Sequence, residues 1–186
     1  MRIRELFQGI AMGLMDGLIT LLGIIVGVGA ATDDAKIVII SGLVGGISNS
    51  FGTSIGFYTS ENAERGQQIA FYKRKKITGG DGRYINSHSE IIASTFLSFI
   101  AGVGAIILPI LPFFFLVDVT FSIITSLVIS AILLFILGYY IGKINETGRM
   151  KSGIKYVILG VASAAIAFVL GELLRHMLIE GKIGFL

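Results

Sequence analysis

The chain has 186 residues, of which 54% are hydrophobic and only 15% are charged. A soluble domain of this size has no interior large enough for so much apolar sequence, so the composition predicts a polytopic membrane protein. The chain has no cysteine and only two histidines, which are far apart. This excludes disulfides and thiolate metal sites, and it argues against a histidine-based zinc site.

The first predicted span covers residues 9–31 and contains one charge, Asp16. A helix this long and apolar crosses a hydrocarbon core of about 30 Å. Placing a carboxylate at that depth costs about 2.5 kcal/mol or more on insertion scales. Because acids inside the membrane are functional by default, we interpret Asp16 as the candidate functional group. The alternative is a residue that only hydrogen bonds to neighbouring helices.

The second predicted span covers residues 37–60. It is apolar at first and then rich in hydroxyl and amide side chains. A polar segment, residues 61–90, follows as a predicted cytoplasmic loop, whose first part can continue the helix until the glycine-rich turn at residues 79–82. Ser87 and Glu90 have the spacing of a capping box, which predicts the start of a third helix.

Three further spans are predicted at about residues 91–114, 121–141 and 156–174. Pro109 and Pro112 are expected to kink or end the third span. The predicted fold class is therefore an all-α membrane protein with five transmembrane helices. These helices form a single domain over residues 1–186.

The basic residues predict the orientation. If the N-terminus is cytoplasmic, only Lys36, Arg175 and Lys182 of the 15 Lys and Arg residues lie outside. This bias predicts a multi-pass protein of the cell membrane with its N-terminus in the cytoplasm and its C-terminus outside. The basic run at residues 73–76 is interpreted as a positive-inside determinant that contacts membrane lipid. No aromatic-rich recognition module accompanies it, so no nucleic-acid partner is expected.

Glycines recur at four-residue spacing in the first two spans. The series Gly9, Gly13 and Gly17 lies in the first, and the pair Gly52 and Gly56 lies in the second. Small residues at this spacing let helix backbones approach closely in a membrane. The pattern predicts that these two spans form the tightly packed centre, either within the monomer or across a symmetric dimer.

Helical spacing places Met12, Asp16 and Thr20 on one face of the first span. Asn49 and Thr53 share a face of the second span. Placed together, these faces offer a carboxylate, an amide and hydroxyls, with Met12 either a thioether ligand or a packing residue. Oxygen-rich sites of this kind suit Mn²⁺, Fe²⁺, Mg²⁺ or a proton.

Two glutamates, Glu61 and Glu64, follow this face toward the predicted cytoplasmic side. They either attract cations to the mouth of a pathway or form a solvated helical face that balances Arg65. Glu172 in the fifth span either serves as an exit-side ligand or pairs with Arg175 three residues later.

These motifs resemble those of the vacuolar iron transporter family. Residues 15–20, Met-Asp-Gly-Leu-Ile-Thr, are similar to the Asp-Gly-x-x-Thr core of its first helix. Residues 42–60 resemble its second-helix signature, in which a Ser-Met pair precedes Gly-Glu-Tyr-x-Ser. Residues 98–113, with the proline pair, resemble its third helix, and residues 150–174 resemble its fifth. The resemblance implies a homodimer with a metal pathway between the first and second helices at the dimer interface, and it maps Asp16 to the pore aspartate.

The chain departs from the family pattern at three positions. Thr53 stands where the family has Met, Phe57 where it has Glu, and Gly52 where it has Ser. The cytoplasmic metal-binding domain of the eukaryotic iron transporters is also missing, as in a short prokaryotic-type member. Soft and acidic ligands are therefore fewer than in the family.

The sequence predicts a transporter of a divalent cation, Mn²⁺ or Fe²⁺, exported from the cytoplasm in exchange for protons. The predicted metal ligands are Asp16, Asn49, Thr53, Thr20, Met12, Glu61 and Glu64. The metal is the transported substrate, and no resident cofactor is expected. The alternative is a non-transporting membrane scaffold or regulatory protein of the same fold. No catalytic arrangement of side chains lies within any span, so an enzyme is not expected.

Overall fold

The protein is a bundle of helices in a computed structural model that describes residues 3–74 and 87–179. The helices are α1 (Ile3–Thr32), α2 (Ala35–Arg74), α3 (His88–Ile110), α4 (Pro112–Phe115), α5 (Val119–Ile144) and α6 (Arg149–Leu174), followed by a π-helical turn, Arg175–Ile179. Among the described residues, five helices are long and apolar enough to cross a membrane, with α3 and α4 counted as one. The predicted all-α fold with five spans is confirmed.

The helices extend beyond the predicted apolar spans. α2 continues to Arg74, as predicted, because residues 61–74 contain no proline that would break the helix. Both Asp118 and Ser87 mark helix starts: Asp118 Oδ1 accepts from the amide of Phe121 at 2.7 Å, and the amide of Ser87 donates to Glu90 Oε2 at 3.2 Å. The second bond confirms the predicted capping box. The predicted turn at residues 79–82 and the tail from residue 180 lie outside the described residues.

The two prolines divide the third span as predicted. α3 passes through Pro109 and ends at Ile110, and α4 starts with Pro112. A proline in the first turn of a helix is tolerated because its missing N–H would be unpaired there. Ser126 of α5 then donates to the carbonyl of Pro109 at 2.5 Å. This bond fixes the interrupted end of α3 against α5.

α1 is the central helix and contacts α2, α3, α5 and α6. One face of α1 packs Leu21 and Ile25 against α2, α3 and α4, in a cluster completed by Val38, Ile106, Ile110 and Phe113. The adjacent face packs Leu18 and Leu22 against Ala105 and Leu134. The outer faces of α5 and α6 carry exposed aliphatic side chains instead, as expected of helices that face lipid.

The closest helix approach joins α1 to α3. A Cβ atom at Gly13 would meet the backbone of Ser98, and one at Gly17 would lie 2.7 Å from the carbonyl oxygen of Gly102. Gly52 and Gly56 of α2 face open space. Within the monomer, the tight seam is therefore α1–α3 and not α1–α2, because the α1 glycine stripe meets the small residues of α3. The dimer alternative stays a prediction.

We predict that Gly13→Ala destabilises the protein by about 1–3 kcal/mol, the usual cost of overpacking a tight contact. The added methyl group would meet backbone atoms of α3, which cannot move aside as a side chain can. Gly104→Ala on α3 is the matched control, since a Cβ there meets nothing within 4 Å. Unfolding in graded sodium dodecyl sulfate measures both variants. Equal stability of the two would contradict the close α1–α3 seam.

Candidate metal site

Asp16 lies midway along α1 and is bound by two side chains of α2. Asn49 Nδ2 donates to Asp16 Oδ2 at 2.5 Å, and the hydroxyl of Thr53 donates to the same oxygen. Asn49 and Thr53 are one helical turn apart, so both point to one place on α1. The structure thus brings together the carboxylate, amide and hydroxyl that the sequence predicted.

The other oxygen of this carboxylate has a different environment. No described side chain donates a hydrogen bond to Asp16 Oδ1, whereas Oδ2 accepts two. A carboxylate has lone pairs on both oxygens. Asp16 therefore keeps acceptor capacity for a cation or a proton while Asn49 and Thr53 hold its position.

The remaining predicted ligands on α1 do not join this cluster. Met12 is 46% exposed on the outside of the monomer. Thr20 is half-buried one turn beyond Asp16, and no hydrogen bond joins either side chain to Asp16 among the described residues. The structure therefore gives a compact group of three side chains, with Met12 and Thr20 one turn away on either side.

Glu61 forms a second polar position, two helical turns along α2 from Thr53. It is only 8% exposed, and Gln8 of α1 donates to its Oε1 at 3.5 Å. Gln8 was not among the site residues predicted from the sequence. The sequence spacing could have identified it. Gln8 precedes Asp16 by eight residues, and Glu61 follows Thr53 by eight. In two antiparallel helices that pair Asp16 with Thr53, the same register therefore pairs Gln8 with Glu61.

Phe57 lies between these two polar positions on the same face of α2. It follows Thr53 by four residues and precedes Glu61 by four, and it is only 3% exposed. An aromatic ring there separates the Asp16 cluster from Glu61 by one apolar helical turn. The carboxylate that the family pattern has at this position is thus replaced by a ring, and the next carboxylate of the helix lies one turn further along.

The other acidic candidates face elsewhere. Glu64 is exposed and accepts from Gln68 at 3.2 Å, so it forms part of a solvated face. Glu172 lies 3.9 Å from Arg175, as predicted for a pair three residues apart. Within residues 3–74 and 87–179, no three His, Cys, Asp or Glu side chains cluster in a way that could hold a metal ion.

The outer face of α2 next to the Asp16 cluster is exposed in the monomer. It presents Ser48, Gly52 and Gly56 beside Ile47, Phe51 and Ile55. Small and hydroxyl side chains in a membrane helix favour contact with another helix rather than with lipid. This face therefore leaves room for a second helix directly beside the residues that hold Asp16.

Several known proteins are similar to this chain over most of its length. A family model described as the VIT family matches residues 7–81 and 82–172. An uncharacterised protein of Methanocaldococcus jannaschii is 33% identical over 87% of this chain and 86% of its own length. Vacuolar iron transporter homolog 1 of Arabidopsis thaliana is 28% identical over 88% of this chain and 80% of its own. Vacuolar iron transporter homolog 5 of Oryza sativa is 26% identical over 88% and 78%.

These matches span nearly the whole chain, and the described helices supply the membrane spans that such a protein needs. The resemblance to vacuolar iron transporters is thereby confirmed. The chain is a multi-pass membrane protein and belongs to the VIT family, whose members are transporters and not enzymes.

Proposed function

We propose that this protein exports a divalent metal cation, Mn²⁺ or Fe²⁺, from the cytoplasm in exchange for protons. The observation that carries the proposal is the Asp16 carboxylate, located inside a membrane span and held by Asn49 and Thr53. An acid at that depth is costly, and such groups mark ion pathways in membrane proteins. The names of the plant relatives support metal transport.

The amide of Asn49 and the hydroxyl of Thr53 donate to Asp16 and compensate its charge. Both groups also have oxygens that accept, so each can serve as a ligand once it stops donating. Rotation of the Asn49 side chain presents its carbonyl oxygen in place of its NH₂ group. A divalent cation would then be bound by carboxylate, amide and hydroxyl oxygens. A proton on Asp16 would remove the charge that holds the cation.

One carboxylate neutralises only half of the charge of a divalent cation. We infer a homodimer in which the open face of α2, with Gly52 and Gly56, packs against a second copy. A two-fold axis beside this face would bring a second Asp16 toward the first, because Asp16 lies at the half-buried edge where α1 meets α2. Met12, exposed in the monomer, would then be covered as well. The resemblance to the family implies the same assembly.

The ligand chemistry favours harder ions. Thr53 contributes an oxygen where the family pattern has a thioether, and oxygen ligands suit Mn²⁺ better than the softer Zn²⁺ or Cd²⁺. The distribution of basic residues supports an orientation with the N-terminus in the cytoplasm. Glu61 and Gln8 would then lie at the cytoplasmic entry, and Phe57 would separate this entry from Asp16.

The first test is Asp16→Asn, which preserves shape and hydrogen bonding but removes the charge and the titration. We expect Mn²⁺ flux in proteoliposomes with a pH gradient to fall to the level of protein-free vesicles. Asp34→Asn is the matched control, because it replaces a carboxylate by an amide outside the spans. The Asn side chain retains the oxygen that accepts from the amide of Lys36. Asp16→Glu is expected to retain partial flux.

Near-normal flux through Asp16→Asn would remove Asp16 from the mechanism. Absence of metal flux in the wild-type protein, with a folded and reconstituted sample, would instead support the non-transporting scaffold.

The second test addresses metal choice through Thr53→Met. A thioether beside Asp16 should raise the transport of Cd²⁺ relative to Mn²⁺ by about tenfold, which corresponds to roughly 1.4 kcal/mol. Thr59→Met is the control on the same helix, since Thr59 is exposed and donates to its own helix at Ile55. Competition between the two metals during uptake gives the ratio. An unchanged ratio in Thr53→Met would show that Thr53 does not contact the ion.

A further inference from the structure

A groove lies where α5 ends and α6 begins, at the end of the bundle opposite the Asp33 turn. It has a volume of about 450 Å³ and is lined by Phe135, Ile136, Tyr139, Tyr140, Lys143 and Arg149. None of these residues belongs to the Asp16 cluster. The groove has no part in the proposed metal binding.

Close packing of α5 on α6 brings the two cations of the groove together. Gly142 allows this contact, because a Cβ there would lie 2.5 Å from the Cβ of Ser152 and 3.1 Å from the carbonyl oxygen of Gly148. Lys143 is next to this glycine, and Arg149 opens α6 after a short loop. The sequence spacing alone does not show that the two side chains share one groove.

The positive charge of the groove is not neutralised by the described protein. Neither Lys143 nor Arg149 makes an ion pair among the described residues. The acidic side chain nearest in sequence, Glu146, is exposed in the connecting loop and pairs with neither. Both cations are therefore available to an anion from outside the chain.

The start of α6 adds to this charge. Its N-cap residue, Gly148, has no side chain that could cap the helix, and the first turn contains no acidic residue. The N–H groups of the first turn of a helix have no partner within the helix. The end of the helix carries a partial positive charge. The start of α6 and the two cationic side chains therefore all attract an anion.

The floor of the groove is apolar and lies deeper along α5. Ile136 is one turn below Tyr140, and both are largely exposed, whereas Phe135 is half-buried. Tyr139 and Tyr140 pack edge to face, with ring centroids 6.3 Å apart. Tyrosines of this kind are typical of the membrane–water boundary. The groove therefore offers cations and hydroxyls at its rim and apolar surface beneath them.

We propose that this groove binds one anionic glycerophospholipid. The phosphate would contact Lys143, Arg149 and the start of α6, and an acyl chain would lie along Phe135 and Ile136. Basic pockets between membrane helices are suited to anionic headgroups. A soluble phosphate would use the rim alone, and only a lipid uses both the charged rim and the apolar floor.

The proposal is tested by native mass spectrometry of the delipidated full-length protein with phosphatidylglycerol or phosphatidylcholine. We expect the wild-type protein to prefer phosphatidylglycerol. The double variant Lys143→Gln with Arg149→Gln should weaken phosphatidylglycerol binding about thirtyfold and leave phosphatidylcholine unchanged, at the strength typical of two basic contacts. The exchange Lys143→Arg with Arg149→Lys keeps both charges and should retain binding.

Lys36→Gln with Arg175→Gln is the matched control, because it removes the same two residue types from the opposite end of the bundle, outside the groove. We expect binding within about twofold of wild type in this control. Glycerol 3-phosphate at millimolar concentration should not displace the lipid, since it lacks acyl chains.

Three results would overturn the proposal. These are equal binding of the two lipids by the wild type, wild-type binding by the double glutamine variant, and an equal loss in the control pair. Displacement by glycerol 3-phosphate would assign the groove to a soluble anion instead and would also overturn it.

Discussion

A carboxylate inside a membrane span must find polar partners, because the hydrocarbon around it offers no water. In this protein the requirement falls on Asp16, and Asn49 and Thr53 meet it from the neighbouring helix. Both partners are neutral and can either donate or accept. The carboxylate is therefore stabilised without a fixed counter-charge, which leaves its charge available to a transported ion.

α1, which carries Asp16, lies at the centre of the bundle. Its glycines meet the backbone of α3 on one side, and its leucines fill the core on others. The face that carries Asp16 meets α2, whose own outer face stays open. α1 thus packs against α3, α5 and α6, while the Asp16 cluster, which we propose as the metal site, lies at the half-buried edge of the monomer. This arrangement suits a pathway completed by a second copy.

Much of this could be predicted from the sequence, because hydropathy shows the spans and helical periodicity shows which residues share a face. Asp16, Asn49 and Thr53 were identified in this way. Periodicity does not show which neighbour a face meets. The contact of the α1 glycines with α3 was therefore not predicted, and Gln8 was not paired with Glu61. The buried position of Phe57 also depends on tertiary packing.

The central claim is that metal and protons compete for Asp16. Electron paramagnetic resonance of Mn²⁺ measures it directly, since the signal distinguishes free from bound ion in a titration of the purified protein. The account predicts that the wild type binds Mn²⁺ more weakly as the pH is lowered, and that Asp16→Asn binds weakly at every pH. Tight Mn²⁺ binding by Asp16→Asn, with the same pH dependence as the wild type, would contradict it.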